Sequence, residues 1–380
     1  MDKKVLVVFG TRPEAIKMAP LVKELEQTPG FTPVVCVTAQ HREMLDQVLE
    51  CFDIRADMDL NMMKEGQSLY SLSADLLRGM EEVFRKDPYD LVLVHGDTTT
   101  AFIGALAAYY AKVPIGHVEA GLRTYDKYAP FPEEMNREWI GRVADMHFAP
   151  TKLAAAHLLK ENRTRHIYVT GNTGIDAMKW TLNAPFTHPL QHKLRKETRW
   201  ILMTMHRREN WGEPMNNVFQ AVKRIVQENP DIELIYPVHP NPAIQKAVSD
   251  ALAGQERIHL TAPLDVVDLH HIMKRSYMVL TDSGGIQEEA PSLGKPVLVL
   301  REKTERPEGV TAGTLKCVGT RTSNVMEGIR KLLHDRKAYA AMAQAANPFG
   351  DGHASARIVR AIGDYFDIGH GSSSNASWGS

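Results

Sequence analysis

Short runs of apolar and β-branched residues alternate with amphipathic helical segments through most of this chain, and that alternation constrains the fold more than any other feature. In the first half the runs are VLVVF (5–9), PVVCVT (33–38), LVLVHG (91–96), IGHVEA (115–120) and MHFAP (146–150). Between them lie segments such as PEAIKMAPLVKELEQ (13–27) and SLYSLSADLLRGMEEVFRK (68–86). In the second half the runs are IYVTG (167–171), WILMTM (200–205), ELIYPV (233–238), IHLTA (258–262), YMVLT (277–281) and PVLVL (296–300), with NNVFQAVKRIVQ (216–227) among the helical segments. Strand and helix in alternation predict βαβ units and parallel sheets. A chain of 380 residues exceeds one ordinary core, so the two series are read as two Rossmann-like, doubly wound α/β domains.

The domains are placed at 1–170 and 171–351, because GNTGIDAMKWTLNAPFTHP (171–189) carries several breakers. ANPFGDGHASARIVRAIGDYFD (346–367) reads as a loop followed by an amphipathic helix, and the tail 368–380 has no apolar periodicity and is expected to be disordered. In open parallel sheets ligands bind outside the carboxyl ends of the strands, and two facing domains would set two such edges across a cleft. Reactive residues are therefore sought at strand C-termini.

Composition narrows the partners. Lys plus Arg is 45 and Asp plus Glu is 46, a net charge of −1, which gives no reason to expect nucleic acid or a membrane surface as partner. Three cysteines, with no Cys-x-x-Cys, argue against a disulfide framework and a cysteine-rich zinc site, and no metal is expected. No run approaches a spanning helix and the N-terminus lacks a signal-peptide pattern, so a cytoplasmic location is expected.

Candidate chemistry sits after the strands. In FGTRPEAIK (9–17), Gly10 permits a turn, Thr11 caps a helix that Pro13 opens, and Arg12 and Lys17 are either solvated or anion-binding at the helix mouth. In VHGDTTT (94–100), Asp97 is either an N-cap or a site carboxylate. Glu119 in GHVEAGLRT (116–124) is a poor cap and a poor strand former, which favours a functional reading. Glu133 and Glu134 in FPEEMNRE (131–138) suit a first helical turn through the dipole alone. His206, Arg207 and Arg208 follow a strand directly and suit a departing phosphate; His239 is similarly placed between prolines. TDSGGIQEEA (281–290) combines a Ser283-Gly284-Gly285 turn, shaped like an anion cradle, with Glu288 and Glu289, and Arg306 follows one strand later. No Walker A loop, GxGxxG fingerprint, His-Glu-x-x-His helix or GxSxG elbow occurs, which removes kinase, NAD-dehydrogenase, zincin and α/β-hydrolase readings.

FGTRPEAIKMAPL, HGDTTT, HVEAGLRT, FPEEMNR, HRREN, TDSGGIQEEA and ERPEG, in this order over roughly residues 3–367, resemble the bacterial non-hydrolysing UDP-N-acetylglucosamine 2-epimerase family, and LDVVDLHH (264–271) resembles its Gram-positive branch. The resemblance implies a glycosyltransferase-B-like architecture, with the helix at about 352–367 packing back on the first domain, and a homodimer. It implies interconversion of UDP-GlcNAc and UDP-ManNAc without a cofactor, through elimination of UDP to 2-acetamidoglucal and its re-addition. Rivals are a hydrolysing epimerase, a glycosyltransferase of the same architecture, and a catalytically silent nucleotide-sugar sensor. Carried over by position, Asp97, Glu119 and Glu133 match the acid/base carboxylates and His206 the histidine assisting UDP departure. Arg12 and Lys17 match cations at the substrate, Ser283, Gly284 and Gly285 the diphosphate turn, Glu289 a ribose ligand and Arg306 a nucleotide-site residue. Leu269 stands where the family commonly has Phe near the uracil. Glu288 receives no role beyond helix-start stabilisation. Gln40, Gln67, Arg207 and His239 match an allosteric UDP-GlcNAc site, whose neighbours depart from the pattern: Glu43 replaces Gln and Gly66 replaces Arg, so activation is expected to be weaker. The product is expected to feed cell-surface polysaccharide or teichoic acid synthesis.

Overall fold

A computed structural model describes residues 2–38, 42–62, 66–195 and 197–368. The chain divides into two compact units, one formed by Met1–Ala177 together with Gly352–Ser380, the other by Met178–Asp351. No helix among the described residues is long and apolar enough to cross a membrane.

The first unit alternates β1 (Lys3–Phe9), α1 (Arg12–Gln27), β2 (Phe31–Val37), α2 (Arg42–Cys51), β3 (Met58–Asp59), α3 (Leu69–Lys86), β4 (Leu91–His95), α4 (Thr99–Tyr110), β5 (Ile115–Val118), α5 (Glu133–Val143), β6 (Met146–Ala149), α6 (Lys152–Lys160) and β7 (Ile167–Val169), and the boundary falls within α7 (Thr173–Thr181). Its seven strands pair in parallel in the order β3-β2-β1-β4-β5-β6-β7. The period of two along β1 decides which core each residue joins. Val5, Val7 and Phe9 pack with α1 residues Ala15, Met18 and Val22, whereas Leu6 and Val8 pack with Val92, Val94 and Ala105 on the other face. Helices on both faces explain why these strands read as continuous apolar runs rather than as alternations.

The second unit runs through α8 (Leu190–Lys193), β8 (Arg199–Thr204), α9 (Glu213–Glu228), β9 (Ile232–Pro237), α10 (Pro242–Leu252), β10 (Ile258–Thr261), α11 (Val266–Arg275), β11 (Met278–Thr281), α12 (Gly284–Ser292), β12 (Val297–Val299), α13 (Pro307–Ala312), β13 (Leu315–Cys317), α14 (Thr322–His334) and α15 (Arg336–Ala343). Its parallel sheet has the order β10-β9-β8-β11-β12-β13. In both sheets the chain starts in the middle and winds both ways, so the order reverses at β1/β4 and at β8/β11, and those carboxyl ends are where ligand loops collect.

Ile167–Val169, counted above among the second-half runs yet inside the 1–170 domain, pairs with β6 and closes the edge of the first sheet. Three partly exposed residues on an edge carry little pattern, and chain order alone does not name a strand's partner.

The final helix, α16 (Ala354–Tyr365), buries Ile358, Val359, Ala361 and Ile362 in the α1 side of the first core. His353 at its N-cap does not cap the helix through its side chain. Asp176 of α7, 5% exposed, supplies the cap instead, accepting from the backbone N–H groups of Ala354 (3.1 Å) and Ser355 (2.8 Å). Asp176→Ala removes the acceptor of two buried N–H groups and is expected to lower stability by about 2–4 kcal/mol, with Asp176→Asn losing less because one oxygen remains. Urea denaturation of the three proteins at one pH checks this order, and coincident midpoints for the alanine variant and the wild type contradict it.

Candidate active site

In the first unit the functional side chains hang from loops after β1, β4 and β5. Thr11 caps α1, and Glu14 three residues on completes a capping box. Glu14 also does more than cap. Its Oε2 accepts from the N–H groups of Gly10 (3.1 Å) and Thr11 (2.8 Å), and its Oε1 accepts from Thr98 Oγ1 (2.7 Å) on the loop after β4. Glu14 is 2% exposed, and burial pushes its carboxyl up against these hydrogen bonds. Gly10 is required by close packing rather than by turn geometry, because a Cβ there would overlap Thr38 Oγ1 and come within 2.8 Å of Thr100 Oγ1. Arg12 opens α1 at the carboxyl end of β1.

The cap of α4 is Thr98, which accepts from Ala101 N–H, so Asp97 is free of capping duty. Its carboxylate pairs with Arg137 of α5 at 2.8 Å, and its backbone oxygen accepts from Asn136 Nδ2 at 2.8 Å. Burial pushes the Asp97 carboxyl up to about 6; Arg137 opposes this, and the negative charges of Glu119 and Glu133 add to it. Glu119 and Glu133, the other two carboxylates of the expected acid/base set, thus both act on Asp97. Just before Asp97, Gly96 is held by His117 of β5. The His117 Nε2 lies 2.7 Å from the Gly96 carbonyl oxygen, which only accepts, so the proton sits on Nε2. His117 is fully buried, and burial drives it down to about 3, keeping it neutral.

Glu119 sits immediately past β5 with φ +62°, a left-handed backbone that a residue with a Cβ adopts at a cost. Its carboxylate is held by two groups, with a neutral imidazole close by. Lys17 of α1 forms an ion pair with it, Asn172 Nδ2 donates at 3.0 Å, and His95 Nε2 lies 3.5 Å away. Burial pushes His95 down to about 4, so it is neutral. Glu133 is the first residue of α5. Its neighbour Glu134 is fully buried and accepts from the N–H groups of Thr124 and Tyr125, tying the long loop after β5 to α5.

In the second unit the loops after β8, β11 and β12 carry the candidates. His206 and Arg207 follow β8 directly, and both backbone N–H groups donate to the Asp282 carboxylate at the end of β11 (3.0 and 2.9 Å). The His206 ring stacks on that of His239 with centroids 6.2 Å apart. Burial pushes the His206 imidazole down; Asp282 opposes this, and Arg207 and His239 add to it.

Ser283 precedes α12 without capping it through its side chain, so the first N–H groups of that helix, on Gly284 and Gly285, are left to a ligand or water. A Cβ on Gly284 would stand 3.3 Å from the Arg306 guanidinium, so the glycine admits a cation against the helix start. Arg306 is fixed there by an ion pair with Glu288, which is 4% exposed. This corrects the sequence reading of Glu288 as mere helix-start stabilisation, because its carboxylate points into the protein and anchors the arginine. An unspent helix N-terminus with an adjacent guanidinium is an anion site. One residue further, Glu289 Oε2 lies 3.4 Å from His270 Nε2, and His270 Nδ1 lies 2.7 Å from Thr181 Oγ1. Leu269 is the half-buried residue before His270 on α11.

Lys17, Asp97, Glu119 and Glu133 therefore form one group, and Ser283, Gly284, Gly285, Glu289 and Arg306 another, with His206 beside the second through Asp282. Of the residues matched to an allosteric site, Arg207 and His239 adjoin His206, Gln67 Nε2 donates to Asp75 of α3 (3.0 Å), and Gly66 has φ +71°. Gln40 lies outside the described residues, as do the Glu43 side chain and the tail from 369. Sequence reasoning missed Glu14, Arg137, Asn172 and Asp282. The Thr-x-x-Glu spacing announces Glu14, and Arg137 stands four residues after Glu133, one turn along the same helix face. Asn172 and Asp282 meet their partners only through the sheet.

The chain is similar to known proteins over nearly its whole length. A UDP-N-acetylglucosamine 2-epimerase of Bacillus subtilis (strain 168) is 55% identical over 360 residues, 94% of each chain. An S. aureus protein solved with UDP superposes with a TM-score of 0.90 at 51% identity, covering 99% of this chain and 100% of that one. A Neisseria meningitidis UDP-GlcNAc 2-epimerase solved with UDP-GlcNAc superposes with a TM-score of 0.86 at 46% identity, covering 94% of this chain and 99% of that one. The model of the UDP-N-acetylglucosamine 2-epimerase family matches residues 23–363, and with two Rossmann-like sheets of the glycosyltransferase-B-like class this chain belongs to that family.

Proposed function

We propose that this enzyme inverts C2 of UDP-N-acetylglucosamine reversibly, giving UDP-N-acetylmannosamine, without hydrolysis and without a cofactor. The observation that carries the reading is the half-buried Asp97–Glu119–Glu133 group, with one carboxyl raised to about 6. A carboxyl tuned near neutrality is equipped to exchange protons. The C2 hydrogen of the sugar is not α to a carbonyl and is not acidic by itself. Cleavage of the C1–O bond, with the electron pair leaving on UDP, makes it so. A carboxylate then takes the C2 proton, and the C2–H electrons form the C1=C2 bond of 2-acetamidoglucal. In the return step a proton is delivered to the opposite face of C2 and a UDP oxygen rebonds to C1.

The second unit serves the leaving group. The N–H groups at the start of α12, with Arg306 held by Glu288, suit the diphosphate, and Glu289 suits the ribose hydroxyls. His206 offers a hydrogen bond or proton to the departing oxygen. In the first unit Arg12 and Lys17 balance the negative charge of substrate and carboxylates. Leu269 takes the place of an aromatic beside the uracil. The enzyme works as a cytoplasmic homodimer and supplies N-acetylmannosamine units for cell-surface polymers. A second UDP-GlcNAc activates it weakly through Gln40, Gln67, Arg207 and His239, because Gly66 provides no guanidinium for the diphosphate.

The reaction is tested by NMR in D2O. UDP-ManNAc carrying deuterium at C2 is expected, and free ManNAc accumulating in step with UDP would instead show a hydrolysing enzyme. Asp97→Asn and Glu119→Gln are each expected to reduce turnover by on the order of 10²–10⁴. The Asp97 carboxyl itself is expected to titrate near pH 6 in infrared difference spectra, with the band missing in Asp97→Asn. Arg137→Gln removes the cation that lowers this group, so the same band should move to higher pH. A band that stays put refutes the coupling. Weak activation predicts shallow sigmoidicity in rate against UDP-GlcNAc concentration, whereas a hyperbola argues against any second site.

A further inference from the structure

Asp282 has no part in the proton chemistry or anion binding described so far, yet it is fully buried at the point where the second sheet reverses. A buried carboxylate is costly unless its oxygens are occupied. The loop after β8 supplies the occupants: Oδ2 accepts from His206 N–H (3.0 Å), Arg207 N–H (2.9 Å) and Asn210 Nδ2 (2.9 Å). Oδ1 faces the same loop and lies 3.2 Å from His206 N and 3.4 Å from His206 Nδ1. The Nδ1 contact is close without being a formed hydrogen bond, and such contacts tighten when substrate binds.

We propose that Asp282 is a positioning residue for His206: its carboxylate fixes the His206–Arg207 backbone and accepts from Nδ1–H, so that Nε2 is the nitrogen left to carry a proton to the departing diphosphate oxygen. The proposal rests on the assignment of His206 to UDP departure. Two properties follow from the geometry. The Nδ1–H tautomer is selected, because a carboxylate can only accept. The negative charge also offsets the groups that disfavour a cationic imidazole, which are Arg207 beside it, His239 stacked on it, and burial. Without Asp282 the cationic imidazole would be further disfavoured and its proton would have no preferred nitrogen.

A purely structural Asp282 would hold the loop and leave the imidazole's tautomer and titration alone. Nitrogen-15 NMR of histidine-labelled full-length enzyme separates the two, with the His206 signal assigned by its loss in His206→Gln. In the wild type the neutral His206 is expected as the Nδ1–H tautomer. Asp282→Asn keeps the shape and one accepting oxygen but removes the charge; the His206 pKa should fall and the tautomer preference weaken. Turnover should drop by on the order of 10–100-fold, the usual effect of losing an orienting partner, while UDP affinity by calorimetry changes little. A folded Asp282→Asn enzyme with unchanged His206 titration and tautomer overturns the proposal. Should that variant not fold, an Nε2–H tautomer in the wild type overturns it equally. A shifted His206 with unaltered turnover supports the pairing and overturns the assignment of His206 to UDP departure, so the two ideas fail separately.

Discussion

Buried carboxylates that collect N–H groups are the interaction on which both sets of functional loops depend. A parallel sheet delivers its loops to one edge, where each strand ends and the next helix starts with unpaired donors. Left to water, such loops would be loose. Here Glu14 binds the turns after β1 and β4 to each other, Glu134 gathers the long loop onto α5, and Asp282 draws the loop after β8 onto the end of β11. In each case the charge is tolerable in the interior only because several donors converge on it, and the donors are ordered because the charge is there. Removing either side would leave an unsatisfied group, so loop shape and carboxylate are selected together.

The same economy of charge separates the roles of chemically alike residues. Glu134 and Glu288 are spent on structure, while Asp97, with two cations and two anions around it, keeps a carboxyl near neutrality. His95 and His117 are held neutral by burial, the first 3.5 Å from the Glu119 carboxylate and the second donating to the Gly96 carbonyl. What distinguishes an acid/base group from a strut is therefore its surroundings, not its residue type.

Much of this was legible in the sequence. The strand–helix alternation gives two parallel sheets because a strand covered on both faces reads as an apolar run, and reactive residues at run ends follow from the sheet's geometry. Asp97, Glu119, His206 and the Ser283-Gly284-Gly285 turn lie at such ends, whereas Glu133 opens a helix beyond a long loop. Long-range pairings were not legible. Asn172 reaches Glu119 across 53 positions, and Asp282 reaches Asn210 across 72, with neither separation marked by any local pattern. The acidic pair Glu288 and Glu289 shows the limit within a single helix turn. Adjacent residues on a helix point about 100° apart, so one is buried against Arg306 and the other turns toward His270, and only the packing decides which.

Glu119 carries a consequence of its own. Its left-handed backbone suits glycine, or asparagine at smaller cost, better than a longer side chain, and the difference amounts to about 1–3 kcal/mol of a modest total stability. Drift toward stability alone would replace it, and the replacement would fold better while losing a carboxylate. A glutamate here is what the proposed proton chemistry asks for, at the expense of fold stability. The restraint from Lys17 and Asn172 is what makes that compromise bearable, since a strained backbone persists only where its neighbours leave it nowhere else to go.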